Sequence, residues 1–375
     1  MKLLGILKQN IFSIIHGHQF GLLLCFVFLL VSCKGGEDEV EPQKTKIEIT
    51  VVYPVNGLGD CSYSDLINVT VSLVTNAAEY LFPGTSILYH FISPNNTDEV
   101  KSKLQNWDDN PPLNNYTYHM LILADEMYED MMVDMNKWRE DSRRDVLVLN
   151  RHNYNDSRTY YRDLPLYGPA WESGYMAKKD GDKPALLLAN NYSHVMIDAR
   201  QGWLDGYAAA GGNPDEVPVV DDIEYEESRC AEASDSLFNA GYDNVVCING
   251  GGQMGALRSL VFRRTLFGGD YNNKRLTVCE NTYLKSYYGP YIRYQIFKKT
   301  GEVVYDFLTN WIKWRTGTSQ TKPDQIVVYD MLNNSLGEYV LGLLDPTDYY
   351  TAAILCDKDI REIAAEAEQK YYNGK

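Results

Sequence analysis

Two glycine-bearing stretches stand where a strand hands over to a helix, the places where an α/β chain keeps its chemistry. The first, residues 53–64, reads YPVNGLGDCSYS. Gly57 and Gly59 permit a tight path, and Asp60, Ser62 and Ser64 are helix-capping types. A helix N-terminus also attracts anions and hydroxyl groups. Tyr63 sets a flat ring at the same edge, although a capped helix start without a ligand would read the same way. The second stretch, residues 249–255, reads NGGGQMG and contains GxGxxG at Gly250, Gly252 and Gly255. Glu280 ends the next expected strand. Glycines in that pattern let a backbone approach a pyrophosphate. Here the pattern comes late in the chain, and the spacing to Glu280 is long for a dinucleotide site. There is no GxSxG and no HExxH. Asp and Glu are too abundant for any pair of them to signal a glycosidase-like site. The tyrosines at 287, 288, 291 and 294 fit either a ligand-facing aromatic edge or half-buried packing.

The elements that must position these residues follow from periodicity. Apolar runs predict strands over 46–53, 85–91, 118–123, 145–149, 184–189, 217–223, 244–248 and 276–280. Amphipathic spacing predicts helices over 64–81, 97–107, 125–140, 166–179, 195–211, 228–240, 255–262, 299–314 and 357–372. Such alternation indicates parallel sheets with helices on both faces, and the length calls for two of them. Residues 150–165 read as a wetter linker, and 326–344 as strands with turns.

The N-terminus reads as an export signal. Lys2 and Lys8 precede an apolar run over 21–31, too short for a comfortable membrane span of about 20 residues. The run ends in Leu30-Val31-Ser32-Cys33, the form of a lipobox, so 1–32 is a signal peptide and Cys33 the lipidated residue. Residues 33–46 are polar with Gly35, Gly36 and Pro42, and make a flexible tether. Glu37-Asp38-Glu39 resembles a surface-export signal of Bacteroidota lipoproteins. The expected location is the cell envelope, lipid-anchored at the outer membrane, facing the periplasm or the exterior. The whole chain carries a formal charge of −16, and residues 1–32 hold two lysines and no acids, which leaves −18 for the mature part. That charge excludes a basic nucleic-acid footprint. Cys61, Cys230, Cys247, Cys279 and Cys356 follow Cys33 at wide spacings without a zinc pattern. Buried thiols fit best, and a disulfide cannot be assigned. Neither a metal site nor a cofactor is expected.

Taken in order, the motifs resemble the basic membrane protein family, the lipoprotein solute receptors of nucleoside ABC importers. The turn with Asp60, Ser62 and Tyr63 is similar to the family's first-strand motif. WESGYMA over 171–177, GWLDG over 202–206 and Asn213-Pro214-Asp215 stand where the family has its helix motifs and N-P-D turn. Ala240-Gly241-Tyr242-Asp243, the 249–255 loop, and Lys298 followed by Val304-Tyr305 complete the match. The resemblance implies a two-lobed type I periplasmic-binding fold, each lobe a parallel sheet between helices. One lobe would hold 47–160 and 282–325, the other 161–281 and 326–375. It implies a small polar ring-containing ligand, nucleoside-like, clamped between the lobes without chemistry and passed to an ABC permease. Carried over, Tyr63 stacks on the ligand, with Asp60 and Ser64 beside it. Asn150 stands where a sugar-binding acid is expected, and Tyr225 is the second aromatic. Gly251 lines the cleft, Glu280 replaces an Asp, and Lys298 completes the site. Pro54, Ser64 and Asn150 depart from the family pattern. Hydrogen bonds to ions are worth about 1.5–3 kcal/mol, so a neutral Asn150 predicts weaker ribose binding. The rivals are a nucleotide-using enzyme on a Rossmann-like sheet and a surface glycan- or protein-binding module.

Overall fold

The computed structural model describes residues 44–55, 57–60, 62–112, 114–151, 158–279, 288–333, 336, 341–344 and 358–374. Lys44–Lys375 form one unit, built on two six-stranded sheets. In the first, β2 (Thr85–Ile92), β1 (Thr45–Val52), β3 (Thr117–Leu123), β4 (Arg144–Leu149), β5 (Thr159–Asp163) and β11 (Ile326–Val328) lie side by side, all parallel. In the second, the order is β7 (Val219–Val220), β6 (Pro184–Leu188), β8 (Asn244–Ile248), β9 (Arg275–Cys279), β10 (Ile292–Lys298) and β12 (Leu341–Leu344). Only β12 runs antiparallel.

Helices cover both faces of each sheet, as buried parallel strands require. Ile47, Ile49 and Val51 of β1 pack under α1 (Tyr63–Asn76), while Val52 faces the cluster that includes Val100 and Leu104 of α2 (Thr97–Asp109). In the second lobe, α3 (Tyr167–Lys179) and α4 (His194–Ala209) cover one face. There α5 (Glu227–Asn239) and α6 (Gly252–Phe267) cover the other. The helix α7 (Thr300–Arg315) returns to the first lobe and packs on α1, with Phe307, Trp311 and Ile312 in its core. Trp311 Nε1 donates to Asp145 Oδ2 at 2.8 Å, fixing α7 to β4.

This strand order moves the lobe boundaries from those expected at 160/161, 281/282 and 325/326. Ile292–Lys298 lies in the second sheet and Ile326–Val328 in the first. The chain therefore crosses between lobes over 164–166, at Lys299 and between β11 and β12. β10 carries Arg293, Tyr294, Gln295 and Lys298 in its seven residues, which hid its strand character. Its Tyr294 is core, and Tyr288 and Tyr291 pack half-buried against the second lobe. β5 falls in the stretch expected to be a linker. Its Arg162 reads as a solvent residue, yet it is buried with its guanidinium on the carbonyls of Tyr161 and Asp324 at 2.8 and 3.0 Å. The helix expected over 125–140 is instead two single turns, Tyr128–Met131 and Lys137–Glu140. Tyr128, Met132, Met135 and Trp138 keep a helical period and are buried, but Asp and Asn side chains favour turns between them.

The last helix, α8 (Lys358–Asn373), packs on α3 beside the crossovers. Glu368 accepts the N–H of Gly168 through Oε1 and of Met331 through Oε2, both at 3.0 Å, and so grips two crossover segments at once. Tyr371 and Tyr372 donate to the two oxygens of buried Asp198 at 2.9 and 2.7 Å. Cys230, Cys247 and Cys279 are buried free thiols. Cys33, Cys61 and Cys356 lie outside the described residues, as do the expected signal peptide and the expected tether up to residue 43. Among the described residues, no helix is long and apolar enough to cross a membrane, and no cluster of His, Cys, Asp or Glu could hold a metal ion.

Candidate functional site

The C-terminal ends of both sheets converge on one cavity of about 140 Å³. Asp60, Tyr63, Ser64 and Asn150 line it from the first lobe, and Tyr225, Gly251 and Lys298 from the second. Glu280 lies outside the described residues. Ligands of open parallel sheets sit beyond the strand ends for a geometric reason: the loops there splay and leave a crevice.

A relay of hydrogen bonds crosses from lobe to lobe along the cavity wall. Lys298 ends β10 with its side chain 2% exposed, and its Nζ donates to Asn150 Oδ1 at 3.1 Å. Asn150 Nδ2 donates to Tyr63 Oη at 3.1 Å, and that hydroxyl donates to the Ala124 carbonyl at 2.9 Å. The ammonium also lies 5.7 Å from the centre of the Tyr63 ring, within the range of a cation–π attraction. Asn150 adopts φ 60°, a left-handed conformation that asparagine tolerates better than most residues. That turn at the end of β4 aims its amide at both partners.

Asp60, while lining the cavity, also holds the start of α1. Its Oδ1 accepts the N–H of Ser62 at 2.8 Å and of Asp65 at 3.2 Å, and its Oδ2 accepts that of Ser64 at 2.9 Å. It therefore caps α1 in place of Ser62, whose side chain makes no cap. Burial nevertheless outweighs these donors and raises its pKa to about 6.

The lobes touch at the cavity rim. Glu126 Oε1 accepts the His194 N–H at 2.9 Å, and Gln253 Nε2 donates to the Cys279 carbonyl at 2.8 Å and to Ser62 Oγ at 3.4 Å. Gly251 comes so close to the other lobe that a Cβ there would stand 3.1 Å from the Cβ of Asp60. The GxGxxG pattern has packing reasons of its own. Gly250 turns with φ +52° beside the Tyr225 ring, and a Cβ on Gly255 would fall 1.9 Å from the Glu227 carbonyl where α6 crosses α5. The close approach that signals a dinucleotide is here an approach of helix to helix.

No protein-family model matches the chain, and no curated protein does. Solved structures do. An ABC transporter solute-binding protein from Aeropyrum pernix K1 superposes with a TM-score of 0.60 at 14% identity, covering 86% of each chain. A glucose-galactose binding protein from Geobacillus stearothermophilus gives 0.57 at 11%, covering 82% of this chain and all 100% of its own. A LacI family transcriptional regulator from Enterococcus faecium, with bound ribose, gives 0.55 at 11%, covering 75% and 95%. The fold is that of the type I periplasmic-binding proteins.

In a type I periplasmic-binding fold every strand end is a candidate for the cleft, and that rule finds lining residues that motif reading passed over. Asp125 and Glu126 follow β3, and Asn190, Tyr192 and Ser193 follow β6. Asp125 was hidden in an expected helix start. Asn190 Oδ1 accepts the Ser193 N–H at 3.0 Å, so it shapes its own loop before α4.

Proposed function

We propose that this is a solute-binding protein that closes its two lobes on one small polar ring. The observation that carries the reading is a cavity lined from the strand ends of both lobes by an ammonium, carboxylates and tyrosines. A cavity of about 150 Å³ takes a ring the size of benzene, so about 140 Å³ favours one ring over a two-ring nucleoside. The glucose, galactose and ribose named for the structural neighbours support the same size class. The order of sequence motifs still favours kinship with the basic membrane protein family. The lipobox favours an anchor on Cys33, and an ABC permease is the partner that such a receptor would serve.

The test is a thermal-shift screen of the full chain in detergent against monosaccharides, nucleosides, nucleobases and amino acids. A ligand that binds only the folded state stabilises it by about 2.7 kcal/mol at a hundred times its dissociation constant. A rise in melting temperature with a monosaccharide-sized solute is expected. Retention on immobilised glycans without any shift would move the reading to a surface glycan-binding module.

A further inference from the structure

We propose that the ligand of this cavity carries a protonated amine, seated at the Asp125 end beside Tyr192 and Tyr225. The inference rests on the solute-binding reading and adds the charge of the solute. Three carboxylates line the cavity, Asp60, Asp125 and Glu126, against one ammonium, Lys298. Two of the three are already answered. Asp60 holds three backbone N–H groups, and Glu126 holds the His194 N–H with the Arg151 guanidinium nearby. Lys298 is turned to Asn150 and Tyr63.

Asp125 is the exception. It accepts one N–H, from Met127 at 2.9 Å, and no cation among the described residues pairs with it. Its surroundings add negative charge. Glu224, held at φ 54°, stands with Asp125 among the charges that bear on Tyr192 and Tyr225, and they push both hydroxyls upward after burial itself. Burial pushes the Asp125 carboxyl up as well. A carboxylate taken out of water without a counter-ion is costly, and a neutral ring filling the cavity would leave it so. A protonated amine supplies the counter-ion, and tyrosine rings attract the same cation through their faces.

Calorimetric titration of the full chain in detergent at neutral pH tests this with matched pairs. The pairs are glucosamine and glucose, galactosamine and galactose, and mannosamine and mannose, with N-acetylglucosamine and adenosine added. At least one amino sugar is expected to bind about tenfold or more tighter than its hydroxyl counterpart, the size of one hydrogen bond to an ion. N-acetylation, which removes the charge, should abolish the gain. Asp125→Asn keeps an oxygen for the Met127 N–H and should collapse the ratio toward one. Neutral sugars or adenosine binding as tightly as the amines would overturn the amine, and a ratio that survives Asp125→Asn would overturn its seat at Asp125; either leaves the solute receptor standing. No heat with any of these compounds would overturn both. The unmodified chain alone decides between these outcomes if the variant fails to fold.

Discussion

Replacing Glu368 by glutamine should change how stability depends on pH, and by an amount the structure lets one estimate. Glu368 is 2% exposed, and burial raises its pKa from 4.5 to about 8 despite its two backbone donors. Between those values the folded chain keeps a proton that the unfolded chain has released. Its contribution is thus fully present below pH 4.5 and is lost as pH rises through 8. Integrated from pH 5 to 8, the loss is roughly 3–4 kcal/mol. Glutamine cannot ionise, so that slope disappears. It also turns an amide toward either Gly168 or Met331, whose N–H then lacks an acceptor at a cost of about 1–3 kcal/mol at every pH. The variant should be less stable than the parent in acid and equal or more stable above pH 8, so the two curves converge or cross. Asp60, remote from position 368, titrates alike in both proteins and cancels in the difference. Urea unfolding followed by tryptophan fluorescence between pH 5 and 9 measures both curves. Parallel curves would refute the reasoning and place the proton elsewhere.

Three further outcomes are expected. Gly251→Ala puts a methyl about 3.1 Å from Asp60 across the cleft, so the lobes should rest more open. Small-angle scattering should show a larger radius of gyration, and an unchanged radius would mean the lobes yield locally. Lys298→Met leaves Asn150 Oδ1 without the ammonium, costing about 1–3 kcal/mol of stability by that lost donor, and should erase any ligand-induced thermal shift. A shift of undiminished size would remove Lys298 from the site. Cys33→Ser should move the chain from the membrane pellet to the soluble fraction, and continued pelleting would count against the lipid anchor.

Much of the fold was legible because most strands and helices here declare themselves by period. Strands such as β4 and β8 are apolar over 146–149 and 245–248, and α4 and α7 keep their apolar spacing along their length. What escaped reading was charged or aromatic sequence made to serve as strand. Arg162 in β5 and Arg293 in β10 find charge-satisfying partners in distant segments, Asp324 and Gln325 in one case and Asp180 and Asp182 in the other. No local pattern announces a partner more than a hundred residues away. The lobe boundaries went with those two strands. In the site, residues marked by glycine or by family motif could be located from sequence. Asp125, Tyr192 and Glu224 could not, because their importance lies in what surrounds them and not in their spacing.

The way the chain divides itself between the sheets bears on how it can be made. The first sheet waits for β11 at residue 326, and the helix that covers α1 does not begin until 300. The second waits for β12 at 341. Neither half can finish while the chain emerges from its N-terminus, and both leave an open sheet edge until late in synthesis. Such long-range closures fold slowly and expose apolar surface on the way. The export proposed above calls for a chain that stays unfolded until it is threaded across a membrane, and late completion of both halves suits that proposal.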